Sequence, residues 1–148
     1  MQTHTDIALA VFELIRDTFP DVRMEIDESG QWVDLEMSIP VQPGCSLEID
    51  LNLQNHDELH LETDEFWVSW FPCTNPEVVT RYVNAVTGLI DGSYRILRHS
   101  RRGRVLKAQL QQPTQTGWRT VATSRSGLSI LTIPSLWSEL SVLRNDAA

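Results

Sequence analysis

The chain has 148 residues, with 20 Asp and Glu against 12 Lys and Arg, a net charge of -8 and a sequence pI near 4.8. An apolar fraction of 41% with five Trp argues against disorder, and no apolar run approaches the ~20 residues that span a bilayer. The acid excess argues against nucleic acid or an anionic membrane as the main partner.

This length predicts one domain over residues 1–148, which needs neither disulfide nor metal to fold. Met1-Gln2-Thr3-His4-Thr5-Asp6 has no basic stretch leading into an apolar one, so a cytoplasmic location is expected. Cys45 and Cys73 lie in no CxxC pattern and read as free thiols.

Over residues 6–18, Ile7, Ala8, Val11, Phe12 and Ile15 recur at helical spacing. Thr5 or Asp6 can cap this helix and Pro20 stops it. Two acidic hairpins follow. Val22, Met24 and Ile26 alternate with Arg23, Glu25 and Asp27, and Val33, Leu35, Met37 and Ile39 alternate with Asp34, Glu36 and Ser38. A turn at Ser29-Gly30 would pair Ile26 with Val33 and set Glu25 opposite Asp34. After the break at Pro40–Gly44, residues 47–53 and 59–62 repeat the alternation. Pairing Leu53 with Leu59 sets Asp50 opposite Glu62 and Glu48 opposite Asp64.

The apolar parity changes at Thr63-Asp64-Glu65, which a bulge or a break explains. Phe66-Trp67-Val68-Ser69-Trp70-Phe71 is apolar on both faces, as in a central strand covered twice or a strand with one face in a partner. A second helix starts with Asn75 as cap, Pro76 at the first position and Glu77 in the first turn. Its apolar stripe runs from Val78 to Ile90 and Gly92 ends it.

A basic hairpin comes next. Tyr94, Ile96 and Arg98 lead to Arg101-Arg102-Gly103, and Leu106, Ala108 and Leu110 return. Trp118–Thr123 reads as a further strand, 124–129 as a loop, and Pro134-Ser135 opens a short last helix with Leu136, Trp137, Leu140 and Leu143. The order predicts an α+β fold. Its core is a predominantly antiparallel sheet of six to eight strands, with an N-terminal, a central and a short C-terminal helix packed on one face.

Charge divides this chain unevenly. Residues 1–75 hold sixteen acids and two bases, a net of -14, and residues 76–148 hold four acids and ten bases, a net of +6. The outward positions of the acidic hairpins collect Glu25, Asp27, Asp34, Glu36, Glu48, Asp50, Glu62 and Asp64. Like charges set opposite each other weaken a sheet. Either the face is solvated or met by Arg95, Arg98, Arg101, Arg102 and Arg104 of the same chain, or it is shaped for a basic partner protein. On the second reading the binding residues are Asp34, Glu36, Asp50, Glu62 and Trp67, with Trp67 as an aromatic anchor.

No nucleophile motif or phosphate loop is present, so no catalytic residue and no cofactor is assigned. His56, Glu58, His60, Glu62 and Asp64 have the ligand types of a divalent-metal site, yet they surround a turn and read as solvated tip residues. No metal site is assigned.

Asp57-Glu58-Leu59-His60-Leu61-Glu62, the strand at Phe66-Trp67, the helix Asn75–Asp91 and Gly92-Ser93-Tyr94-Arg95-Ile96 together resemble small bacterial immunity proteins of polymorphic-toxin systems. The resemblance covers about 40 of the 148 residues. Where several such proteins carry His-x-His, this chain has Trp67-Val68-Ser69. The resemblance implies a non-catalytic protein that binds and blocks a cognate toxin. Two other readings are an acidic secretion-chaperone-like homodimer that binds an effector segment, and a small metal-dependent hydrolase. The chaperone's apolar surface would be the aromatic strand or the helix at 75–91.

Overall fold

A computed structural model describes residues 1–30, 32–125 and 138–145. Its element order is helix α1 (His4–Thr18), strands β1 (Glu25–Asp27), β2 (Leu35–Ile39), β3 (Ile49–Gln54), β4 (Glu58–Thr63) and β5 (Phe66–Trp70), helix α2 (Pro76–Asp91), then β6 (Arg95–Arg101), β7 (Arg104–Thr114), β8 (Gly117–Arg125) and β9 (Glu139–Leu143). The class is α+β. The described strands form two antiparallel sheets, ordered β1-β2-β3-β4-β5 and β8-β7-β6-β9.

Helix α1 is capped by Thr3, upstream of the expected Thr5 or Asp6. Thr3 Oγ1 accepts from the Asp6 N–H at 3.1 Å and Asp6 returns a bond from the Thr3 N–H at 2.9 Å. Donation from the Thr3 backbone N–H, and next the Thr3 side chain, holds the Asp6 carboxyl below its usual range. Helix α2 begins and ends as the spacing predicts, with Asn75 accepting from the Glu77 N–H and Gly92 in the left-handed region at φ 79°.

Alternation along the first sheet sends Leu35, Met37, Ile39, Ile49, Leu51, Leu53, Leu59 and Leu61 inward, where all are buried. Ala8, Val11, Phe12 and Ile15 of α1, Tyr82, Val86 and Leu89 of α2, and Ile96, Ala108 and Leu110 of the second sheet join the same buried cluster. Polar ties fasten the layers. The Tyr82 hydroxyl donates to the His60 carbonyl at 2.7 Å. Buried Asn145 donates to the Leu89 carbonyl at 3.0 Å and accepts from the Leu47 N–H at 3.0 Å. Cys45 and Cys73 are free and buried. Burial pushes both thiols above their ordinary range.

Two local expectations change and one narrows. Strand β1 pairs Ile26 with Met37 rather than Val33, and Glu25 faces Ser38 rather than Asp34. The connection is longer than a tight turn at Ser29-Gly30, but the slip is an even number of residues, so every side chain keeps its face. The parity change at Thr63-Asp64-Glu65 is a break between two strands, a hairpin turn rather than a bulge within one. Thr63 pairs with Phe66, and Asp64 takes φ 50°. Finally, Glu139–Leu143 is a strand paired to β6, where the periodicity predicts part of a closing helix. Leu136 and Trp137 of that expectation lie outside the described residues, as does most of the expected 124–129 loop, whose first two residues end β8.

Candidate functional site

The outer face of the first sheet carries the polar half of each alternation. Its register sets Glu25, Ser38, Asp50, Glu62 and Trp67 in one row across five strands. Asp27, Glu36, Asn52, His60 and Ser69 form the adjacent row. Of the five residues expected to bind a partner, Asp50, Glu62 and Trp67 are therefore consecutive neighbours. Glu36 stands in the next row. Asp34 precedes β2, where its N–H donates to the Leu53 carbonyl at 2.9 Å, and it is not part of the Asp50–Glu62–Trp67 group.

Glu48, Asp50, Glu62 and Asp64 line one open groove of about 490 Å³ together with Arg98. Arg98 reaches it from β6. Its Nη1 sits 2.9 Å from Asp64 Oδ2, and its Nε donates to Ser141 Oγ at 3.1 Å. Among the described residues this is the one ion pair between the acidic and the basic half of the chain. The other arginines of the basic hairpin are placed elsewhere. Arg95 bonds Gln111 and stacks 4.1 Å above the Trp118 ring, while Arg101, Arg102 and Arg104 are exposed around the β6–β7 turn. Asp50 accepts a bond from Ser38 Oγ at 2.9 Å. Neither Asp50 nor Glu62 has a cation within ion-pair distance among the described residues.

Trp67 is 56% exposed, yet its indole is fixed. Its Nε1 donates to His60 Nδ1 at 2.8 Å, with the two rings 5.7 Å apart and tilted by 36°. Indole N–H is only a donor, so Nδ1 is the accepting nitrogen and Nε2 carries the proton. That proton points at Glu58 Oε2, 2.9 Å away. Donation from Asn55 Nδ2, and next from His60, holds the Glu58 carboxyl below its usual range. His60 is thus a buried support under Trp67, not the solvated tip residue that the sequence suggests. The signal for it is diagonal. With Glu62 opposite Trp67, His60 lies two residues along the same face, within reach of a large ring.

Of the metal-type set, His60 has both ring nitrogens engaged, and His56 sits in the β3–β4 turn at φ 74°. Among the described residues no three His, Cys, Asp or Glu side chains are grouped to hold one ion. Among the described residues, too, no helix is long and apolar enough to cross a membrane. Compared with family models, curated proteins and solved structures, the chain matches none.

Proposed function

We propose that this chain is a non-catalytic binding protein, of the immunity type, that presents Asp50, Glu62 and Trp67 to a basic surface on a partner protein in the cytoplasm. The observation that carries this reading is the facing pair Asp50 and Glu62, which no cation of the described chain meets. Facing like charges cost a sheet a few tenths of a kcal/mol or more. Arginine or lysine from a partner removes that cost, and the negative field speeds the encounter. Trp67 supplies the anchor. It is large, half exposed and held in one orientation by His60, so little rotamer freedom is lost on binding.

The chaperone-like reading loses one of its two surfaces, because the apolar stripe of α2 is spent in the core. Val78, Tyr82, Val86, Leu89 and Ile90 are all buried. The test is co-expression with a basic toxin, should the neighbouring genes encode one. Wild type should protect the host from that protein, and a folded variant with Asp50→Lys and Glu62→Lys should not. Equal protection by the variant contradicts the proposal.

A further inference from the structure

A second concave site lies away from the acidic face, between α2, the end of β5 and the β7–β8 hairpin. It is a cleft of about 350 Å³, within the ~300–1,000 Å³ range of small-ligand sites. Trp70 and Tyr94 form aromatic walls, and Arg81, Asn84, Gln112 and Arg119 supply polar groups. Among the described residues no carboxylate lines it. On a chain of net charge -8 that composition is the reverse of the surface average.

The walls are held from behind. Trp70 packs edge-on against buried Tyr82, with ring centroids 5.5 Å apart. Tyr94 lies against Gly88 so closely that a Cβ there would come within 2.2 Å of the ring, and its N–H donates to the Gly88 carbonyl at 2.8 Å. A guanidinium only donates, so the Gln112 amide turns its oxygen to Arg119 Nε at 3.2 Å and Nη2 at 2.9 Å. Its nitrogen then donates to the Tyr94 hydroxyl at 3.1 Å. Two consequences follow for the cleft. The Tyr94 hydroxyl proton is left to donate, and burial keeps that phenol protonated beyond its ordinary range. Arg119 is fixed through one edge, which leaves Nη1 without a partner among the described residues. Across the cleft, the one ion-pair partner of Arg81 among the described residues is Glu77, at 4.0 Å and exposed.

We infer that this cleft binds a small flat ring bearing an oxyanion, a phosphate or a carboxylate, with the ring against Trp70 and Tyr94 and the anion between Arg81 and Arg119. Arg119 and the Tyr94 hydroxyl are fixed donors that need no rearrangement, Arg81 is an exposed cation beside them, and charge-assisted bonds to guanidinium are the strong ones. The site is independent of the acidic face.

The probes are phenyl phosphate, benzoate, inorganic phosphate and phenol, titrated separately into the 15N-labelled full chain. At least one of the two aryl anions should saturate with a dissociation constant near 1 mM, about what so small a ligand reaches. It should shift the Trp70 and Arg119 resonances and bind at least about fivefold tighter than inorganic phosphate or phenol. Whichever aryl anion binds tighter identifies the anion. Arg119→Gln, at an exposed position, should weaken it about tenfold. Arg81→Gln provides the same test from the helix side, and Asp50→Asn should leave binding unchanged. The inference is overturned if neither aryl anion saturates. It is overturned equally if the ring adds nothing over inorganic phosphate, or if both arginine variants bind as wild type does.

Discussion

Asp50 and Glu62 face each other across the β3–β4 ladder, while Arg98 pairs with Asp64 next to them and with neither of the two. The basic hairpin therefore answers the acidic face at one corner and leaves its centre unmatched among the described residues. A charge arrangement of this kind lowers the stability of the free protein and raises its attraction for a basic one.

Glu62→Gln separates those two effects. Glu62 is exposed, and the substitution removes one member of the facing pair. Stability should rise by about 0.2–0.5 kcal/mol, or ~1–2 °C in melting temperature for a chain of this size. Affinity for the basic partner should fall about threefold to tenfold. Calorimetric melting and titration measure the two quantities on the same sample. A loss of stability would show that the pair is not in conflict.

Arg98→Gln acts in the opposite sense. The pair with Asp64 is part-exposed, so its loss should cost only ~0.5–1 kcal/mol, including the bond to Ser141. The groove becomes more negative, so association with a basic partner should quicken, and most of all at low salt. Stopped-flow mixing measures that rate. A slower association would mean that Arg98 itself belongs to the contact.

Stability should fall as pH rises above about 9. Burial holds the Cys45 and Cys73 thiols above their ordinary 9.0 and the Tyr82 phenol well above its ordinary 10.0. The unfolded chain releases these protons at lower pH than the folded one. It therefore binds fewer protons in the alkaline range, and the stabilisation present below about pH 9 is lost as pH rises. Tyr82→Phe should cost ~1–3 kcal/mol near neutrality by stranding the His60 carbonyl. It should also flatten the loss above about pH 10. Urea midpoints across pH check both, and an undiminished alkaline slope in the variant counts against the assignment to Tyr82.

Gly88→Ala should destabilise by ~1–3 kcal/mol, because the new Cβ meets the Tyr94 ring at 2.2 Å. The ring has to leave the α2 surface, so the aryl-anion cleft should lose binding with it. A variant as stable as wild type would mean that Tyr94 does not pack there.

Much of this was legible in the residues. The α1 and α2 stripes, the Leu53–Leu59 register and the basic hairpin turning at Arg101-Arg102-Gly103 rest on strong periodicity flanked by caps or turns. The α+β class with antiparallel pairing follows from them. The β1–β2 register was not legible, because strict alternation fits any even slip and the connection carries no dominant turn signal. Nor was β9. Leu140 and Leu143 are three apart, a helical spacing, and five residues are too few to separate the two periods. At the site, Asp50, Glu62 and Trp67 could be placed on one face by parity. The His60 support could not be, because it depends on which residue of β5 stands beside β4. The Arg119–Gln112–Tyr94 arrangement depends on contact between β8, β7 and α2, which no local pattern encodes.

The most direct test of the acidic face is the affinity of a deca-arginine peptide at several salt concentrations, followed through the Trp67 indole 15N–1H signal. Wild type should bind with a strong salt dependence and shift that signal. Asp50→Asn with Glu62→Gln should bind at least about tenfold more weakly and with a shallower salt slope. Equal affinity and equal slope in the two proteins would contradict the proposed function.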